Sequence, residues 1–383
     1  MKTPIYLDNN ATTPLDPRVL EAMLPFFQGI YGNAASQTHS FGWQAAEAVK
    51  IAREQIAKSI GAGPEEIVFT SGATESDNLA LKGIAETFSG QGDHIITVET
   101  EHKAVLDTCS YLERIGKRVS RLRVNSAGKI DLAALEAAFT DKTILVSIML
   151  ANNEIGLIHP MQEIAEIVHR HGAFLMSDAT QAIGKIPVNV QEMGIDLMAF
   201  SAHKLYGPKG VGALYVRRRK PRVRPSPLLH GGGHERGFRS GTLNVPGIVG
   251  LGKAVELCSL NMITEGKRLA TLRDHLESAL LSLSGVSVNG SQKHRLPHVT
   301  NLSFAGIDPD ALIMSMPGLA VATGSACTSA SLEPSHVLKA LGIAQEDAYA
   351  SIRFSLGRFT SPAEIDAAIQ QVTQAIQKLR SRR

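Results

Sequence analysis

Six short apolar runs between residues 45 and 220 constrain this chain more than any other feature. They are Ile67–Thr70, Asp93–Val98, Thr143–Ile148, Ala173–Ser177, Asp196–Phe200 and Gly212–Val216. Each is too short for a helix and is apolar at odd and even positions alike. A strand of that kind is covered on both faces, which is the situation in a mostly parallel sheet packed between helices. Helical patterns such as Trp43 to Ile60 and Met161 to His171 lie between the runs, so the alternation predicts an α/β sandwich. The pair Gly63-Pro64 is expected to end the first of these helices.

Past residue 220 the pattern changes. Gly231-Gly232-Gly233 opens an irregular segment that runs through Pro246, and Val245 to Leu283 then reads as helical, broken at Asn261. Val299 to Phe304 is strand-like, and a last helix is expected from Pro362 to Arg380. The chain has 383 residues, more than one ordinary core accommodates. We therefore expect a large domain over residues 15–260 and a smaller one built from 1–14 and 261–383. No internal repeat is evident.

Composition removes several function classes. With 39 Lys plus Arg against 36 Asp plus Glu the formal charge is +3, so bulk electrostatics give no case for nucleic acid or a membrane surface. The basic stretch from Arg217 to Arg224 reads as a solvated loop after a strand. Cys109, Cys258 and Cys327 are odd in number and form no CxxC pair, which suggests neither a disulfide framework nor a zinc site. The N-terminus lacks the apolar core of a signal peptide, and no run of about 18 apolar residues occurs. A cytoplasmic protein without a metal centre is the expectation.

The chemistry-bearing residues fall at the ends of the expected strands, where ligands bind in open α/β sheets. Ser201-Ala202-His203-Lys204 follows one strand, and a lysine there can act as a nucleophilic amine once its pKa is lowered. By itself it reads rather as a surface lysine before a glycine turn. Asp178, at the end of another strand, is placed to pair with a protonated pyridine nitrogen, or merely to cap a helix. Thr70 to Ser76 combines small hydroxyl residues with a helix start, suited to a phosphate or equally to plain helix capping. His102 is placed to stack on a flat ring, although a lone histidine after a strand is more often structural. Four such signals, each at its own strand end, favour a pyridoxal-phosphate site jointly where none does alone. Arg353 offers a fork for a carboxylate, or a structural ion pair. Cys327 lies in Thr323–Ser331, a run of small residues that reads as a mobile exposed loop able to carry a thiol to a substrate.

These motifs resemble the cysteine desulfurases of the NifS/IscS type, a class-V aminotransferase-like branch of the fold type I pyridoxal-phosphate enzymes. The resemblance covers nearly the whole chain. It rests on Leu7–Pro14, Thr70–Ser76, Thr100–Lys103, Ala151–Gly156, Ser201–Lys204, Gly233–Gly237 with Ser240–Thr242, and Gly324–Ser329. It implies a seven-stranded, mostly parallel sheet sandwiched by helices, plus a smaller α+β domain. The small-residue run around Cys327 is similar to the subgroup with a long catalytic loop, here about residues 322–332.

The resemblance also implies roles. Lys204 would hold the cofactor and move the substrate's Cα proton, Asp178 would face the pyridine nitrogen, and His102 would stack on the ring. Gln181 and Asn152 would contact the region of the ring's 3′-oxygen. Ala73, Thr74, Ser201 and His203 would hold the phosphate, with Thr242 supplied by the second subunit of a homodimer. Asn153 and Arg353 would bind the substrate carboxylate. Cys327 would take sulfur from L-cysteine as a persulfide, leaving L-alanine, and at most would serve as a transient cluster ligand. Selenocysteine lyase and cysteine β-lyase are the alternatives on the same fold. Relatives that serve an iron–sulfur scaffold carry a docking tail beyond the last helix. Because the chain reaches only Arg383, delivery to such an acceptor is expected to be weakened.

Overall fold

All six apolar runs form strands, and a seventh joins them. The structure, a computed structural model, describes residues 4–323 and 334–381. In chain order the strands are β1 (Ile67–Thr70), β2 (His94–Val98), β3 (Arg118–Leu122), β4 (Thr143–Ser147), β5 (Phe174–Asp178), β6 (Leu197–Ser201) and β7 (Gly212–Val216). They make one sheet in the order β1-β7-β6-β5-β4-β2-β3. Strand β7 is antiparallel to both its neighbours, and every other pairing is parallel. Strand β3 escapes the sequence reading because it is an edge strand. Its Arg118 and Arg121 are exposed, and charge of this kind guards an open edge against foreign pairing.

The main helices are α1 (Ser40–Ser59), α2 (Ala73–Thr87), α3 (Lys103–Arg114), α4 (Met161–Arg170), α5 (Val245–Leu281) and α6 (Pro362–Arg380). Alternate strand residues serve opposite layers. Ile67, Phe69, Ile96, Met198 and Phe200 pack with α1, α4 and the first half of α5. Val68, Ile95, Leu197, Ala199 and Leu214 pack against α2 and α3 on the other face. Double burial is what removed the polar positions from these strands. Helix α1 turns out through Gly61 at φ +70°, so Gly63-Pro64 lies just beyond its end and Pro64 opens a short 3-10 turn instead.

Two sequence expectations need correction. Asn261 does not break the helical segment, and α5 is one helix of 37 residues. The exposed Asn261 donates from Nδ2 to the Leu257 carbonyl at 2.7 Å, a local back-bond that weakens the helix without interrupting it. Arg217 is not part of a solvated loop. It is buried, donates to the Ile195 and Val190 carbonyls and approaches Asp196 at 3.1 Å, tying the end of β7 to the turn before β6.

The second half of α5 enters another core. Leu269, Leu272, Leu276 and Leu280 pack with Leu302, Phe304, Ile352 and Phe354 of a second sheet and with Ile365, Val372 and Ile376 of α6. That sheet joins β8 (Val286–Val288), β9 (Val299–Phe304), β10 (Ala322–Thr323) and β11 (Ser351–Ser355) in the order β10-β11-β9-β8, all antiparallel. The first described residues belong here too. Ile5 and Tyr6 pair with Leu319 and Ala320, and Asp8 bridges to Ser355. Among the described residues no helix is long and apolar enough to cross a membrane.

Candidate active site

Separate chain segments from both sheets converge on one cleft of about 530 Å³, within the range of small-molecule and cofactor sites. Strand β1 ends at Thr70 and α2 begins at Ala73. The intervening Gly72 is the N-cap and supplies no side chain to the helix's first turn. The leading amides of α2, those of Ala73 and Thr74, therefore remain available for an anion. The loop is held rigid from behind: Glu75 accepts from the Ser71 amide at 2.8 Å and from Arg239 Nε at 2.9 Å. Strand β6 delivers Ser201 to the same end, and the 3-10 turn Ala202–Lys204 that follows turns His203 and Lys204 into the cleft.

Strand β5 ends at Asp178, whose Oδ1 accepts from the Thr180 amide at 2.9 Å, so the short turn after the strand fixes the carboxylate. His102 is the N-cap of α3. Its Nδ1 accepts from the Ala104 amide at 3.1 Å, which leaves the proton of a neutral ring on Nε2. Burial pushes His102 below the usual histidine range, Asp178 opposes this and Lys204 adds to it. His203 is driven down to about 4, first by burial and then by Lys204, Lys209 and Lys185. Both rings are therefore neutral at pH 7. Behind the cleft, the fully buried Asp77 is held well above the usual carboxylate range by burial, reinforced by Asp178 and Glu101.

Residues 8–13 cross the cleft from the second sheet. Lys204 Nζ donates to the carbonyls of Asn10 at 2.7 Å and Ala11 at 2.6 Å, Thr13 Oγ1 donates to the His203 carbonyl, and His203 Nδ1 lies 3.2 Å from Thr12 Oγ1. On the far wall, Arg353 of β11 donates to Asp8 at 2.7 Å and to the Asn153 carbonyl at 2.9 Å, while its buried Nε has no partner among the described residues.

The structure thus brings together Ala73, Thr74, His102, Asn153, Asp178, Gln181, Ser201, His203, Lys204 and Arg353. Asn152 does not line the cleft. Its Oδ1 accepts from the Glu154 and Ile155 amides and its Nδ2 donates to the Thr100 carbonyl, so the whole side chain is consumed in closing a buried turn. Thr242 is exposed and likewise does not line the cleft of its own chain. Cys327 lies outside the described residues, as does most of its expected loop; Ala322, in β10, lines the cleft just before it. Sequence reasoning missed Asp8, Asn10, Thr12 and Lys209 as individual site residues. The one signal for Asp8, Asn10 and Thr12 was the polar run from Asp8 to Thr13, and for Lys209 the glycine turn Gly207–Gly210.

The donor set fits pyridoxal phosphate. Helix-start amides and the Ser201 hydroxyl answer a phosphate, Asp178 answers a pyridinium, and Lys204 supplies the amine. All four features occupy one cleft.

Comparisons with known proteins agree. A family model described as aminotransferase class-V matches residues 5–368. The chain is 56% identical over 381 residues to "Cysteine desulfurase IscS" of Anaeromyxobacter dehalogenans, covering 99% of this chain and 94% of the relative. A solved "NifS-like protein" superimposes with a TM-score of 0.92 at 41% identity, covering 98% of this chain and all of that one. A structure described as "SspA in complex with cysteine" follows at a TM-score of 0.81 and 38% identity, covering 93% and 99%. Members of the family use pyridoxal phosphate. With a model spanning nearly the whole sequence and relatives at such identity over the same length, the chain belongs to the aminotransferase class-V family, in its branch of cysteine desulfurases of the NifS/IscS type.

Proposed function

We propose that this enzyme removes sulfur from L-cysteine, with Lys204 at the carbon and Cys327 at the sulfur. The observation that carries the reading is the joint presence of Lys204, Asp178 and the uncapped start of α2 in one cleft. Pyridoxal phosphate, when bound, supplies an electron sink for the substrate's Cα. Ala73, Thr74, Ser201 and His203 would hold its phosphate, Asp178 its ring nitrogen, Gln181 the side bearing the 3′-oxygen, and His102 one face of the ring. Thr242 of the partner subunit would complete the phosphate site in a homodimer. Its exposure, away from its own cleft, supports that role.

Lys204 Nζ takes the proton from the substrate's Cα, and the neutral rings of His102 and His203 add no positive charge to compete with it. Arg353 and Asn153 would hold the substrate carboxylate, Arg353 offering its guanidinium fork at the cleft wall. The Cys327 thiol takes the terminal sulfur: the substrate's C–S bond breaks, an S–S bond forms on Cys327, and alanine is left. One cysteine and one thiol become one alanine and one persulfide, so no oxidant is required. A protein acceptor, such as an iron–sulfur scaffold, would then collect the sulfur.

The test is product analysis on L-cysteine with a thiol reductant. Alanine with sulfide is expected, and pyruvate with ammonia would identify a β-lyase instead. Cys327→Ala should keep the cofactor colour and lower sulfur release on the order of a thousand-fold or more, as loss of a nucleophile does. Turnover at the parent rate in that variant would remove Cys327 from the mechanism. Replacing L-cysteine by L-selenocysteine shows whether selenium leaves by the same route.

A further inference from the structure

Behind the cleft lies a lysine that the reaction above does not use. Lys185 sits in the turn that follows β5, four residues after Gln181, the spacing that stacks one side chain over another in a helical turn. The turn is closed by the Ile183 amide on the Ala179 carbonyl and the Ile186 amide on the Ala182 carbonyl. It is pressed against α5: Gly184 has φ +78°, and a Cβ there would meet the Cys258 Cβ and Sγ at 3.0 and 3.1 Å. Lys185 Nζ donates to Gln181 Oε1 at 2.6 Å, and Gln181 Nε2 donates to the Asn10 carbonyl at 2.9 Å. The same carbonyl accepts from Lys204 Nζ.

The chemistry of the two neighbours settles which way the amide points. A side-chain amide has a donor end and an acceptor end of almost equal shape. The Asn10 carbonyl only accepts, and an ammonium only donates. Reversing the amide would set oxygen against oxygen at Asn10 and NH2 against NH3+ at Lys185. Gln181 therefore presents Nε2 on the side of Asn10 and Lys204, and Lys185 grips the other end. The space around Lys185 is a separate cavity of about 20 Å³, shared with His298 and Glu265, room for about one water. Burial and then Lys204 pull Lys185 down to about 7, with Arg353 adding to this and Cys258 opposing it. Charged or neutral, the amine still donates to the amide oxygen.

We propose that Lys185 is a positioning residue of the cofactor site: by holding Gln181 Oε1 from behind, it commits Gln181 Nε2 to donate to the 3′-oxygen of bound pyridoxal phosphate. This rests on the cofactor reading above. The 3′-oxygen is most negative in the deprotonated form of the bound cofactor, so a fixed donor there favours that form and lowers the pH at which its visible band changes.

The experiment is a spectrophotometric pH titration of the holoenzyme without substrate, in the parent, Lys185→Met, Lys185→Arg, Gln181→Ala and the double variant K185M/Q181A. K185M should raise the midpoint by about one pH unit, the roughly tenfold effect of losing one hydrogen bond to a charged atom. K185R, which can only donate, should keep the parent midpoint. Q181A should raise the midpoint as well, and K185M should add nothing in that background. An unmoved midpoint in K185M, or an equal further shift on top of Q181A, overturns the proposal. A purely structural lysine would change thermal stability and leave the midpoint alone. Should K185M fail to fold, Lys185→Leu, which likewise has no donor, is read in the same way. A parent that binds pyridoxal phosphate without any visible band refutes the cofactor reading itself, and this proposal with it.

Discussion

The two sheets build their halves of the cleft in opposite ways. On the large sheet, each chemical group lies at or just past the end of its own strand. Two of them, Asp178 and His102, are held by near neighbours, whereas Lys204 and His203 reach across to residues 10–12. Asp178 is fixed by the amide two residues on, and His102 likewise by the amide two residues on. On the small sheet, Arg353 projects from within β11, and its partners Asp8 and Asn153 lie 345 and 200 residues away in sequence. The first half is local and set by where strands stop. The second depends on the N-terminal segment pairing with the end of the chain, so it exists only once the whole fold is assembled.

Five substitutions break or sharpen that contrast. Lys204→Ala strikes the local half at its centre. It should abolish the cofactor's visible band and lower turnover on the order of 10⁴-fold, while the fold, measured by circular dichroism, stays intact. An unchanged spectrum would mean that the amine is elsewhere.

His159 tests how far burial governs the large-sheet side. Burial drives its ring down to about 4, whereas in the unfolded chain it titrates near 6.5. Between those values the unfolded chain binds more protons, so stability falls as pH drops from 6.5 toward about 4. His159→Gln should flatten this limb by at most about 3 kcal/mol, read by urea unfolding at several pH values. An acid limb identical to the parent's would show that the ring is solvated.

Arg353→Ala should reduce kcat/KM at least about tenfold, mainly through KM, because a charge-assisted bond to the substrate carboxylate is lost. Asp8→Asn in the same assay separates carboxylate binding from support of the arginine. If both variants fall equally, the fork serves the wall and not the substrate. The smallest effect concerns the connection between the halves. Asn261→Ala, in the exposed middle of α5, should leave activity unchanged and raise stability by a few tenths of a kcal/mol, roughly the propensity difference. A loss of stability would restore Asn261 as a true break.

This contrast also explains what the sequence made legible. The local half could be read because strand ends, helix starts and reactive side chains are neighbours in the chain; Thr70–Ser76, Asp178 and Ser201–Lys204 are each a few residues long. Asp8 and Asn10 could not be assigned individually, because nothing within ten residues of them reveals that Lys204 or Arg353 will be their partner. Strand β3 was invisible because an edge strand replaces apolar residues with charge. Asn152 misled for the opposite reason: it sits in a motif beside a true cleft residue, but its amide closes the turn that holds the motif in place.

Helix α5 is a single rod that has one end in each core. Over 37 residues it spans about 55 Å, each residue advancing it about 1.5 Å and turning it about 100°. Adding or deleting one residue near its middle would therefore rotate the second core by more than a quarter turn relative to the first and swing Arg353 away from Lys204. Whole-turn changes would be the mildest, and even seven residues would shift the cores apart by about 10 Å. The length of this helix is thus a fixed phase relation in the gene, and insertions should be tolerated far better in the loops around it than in the rod itself.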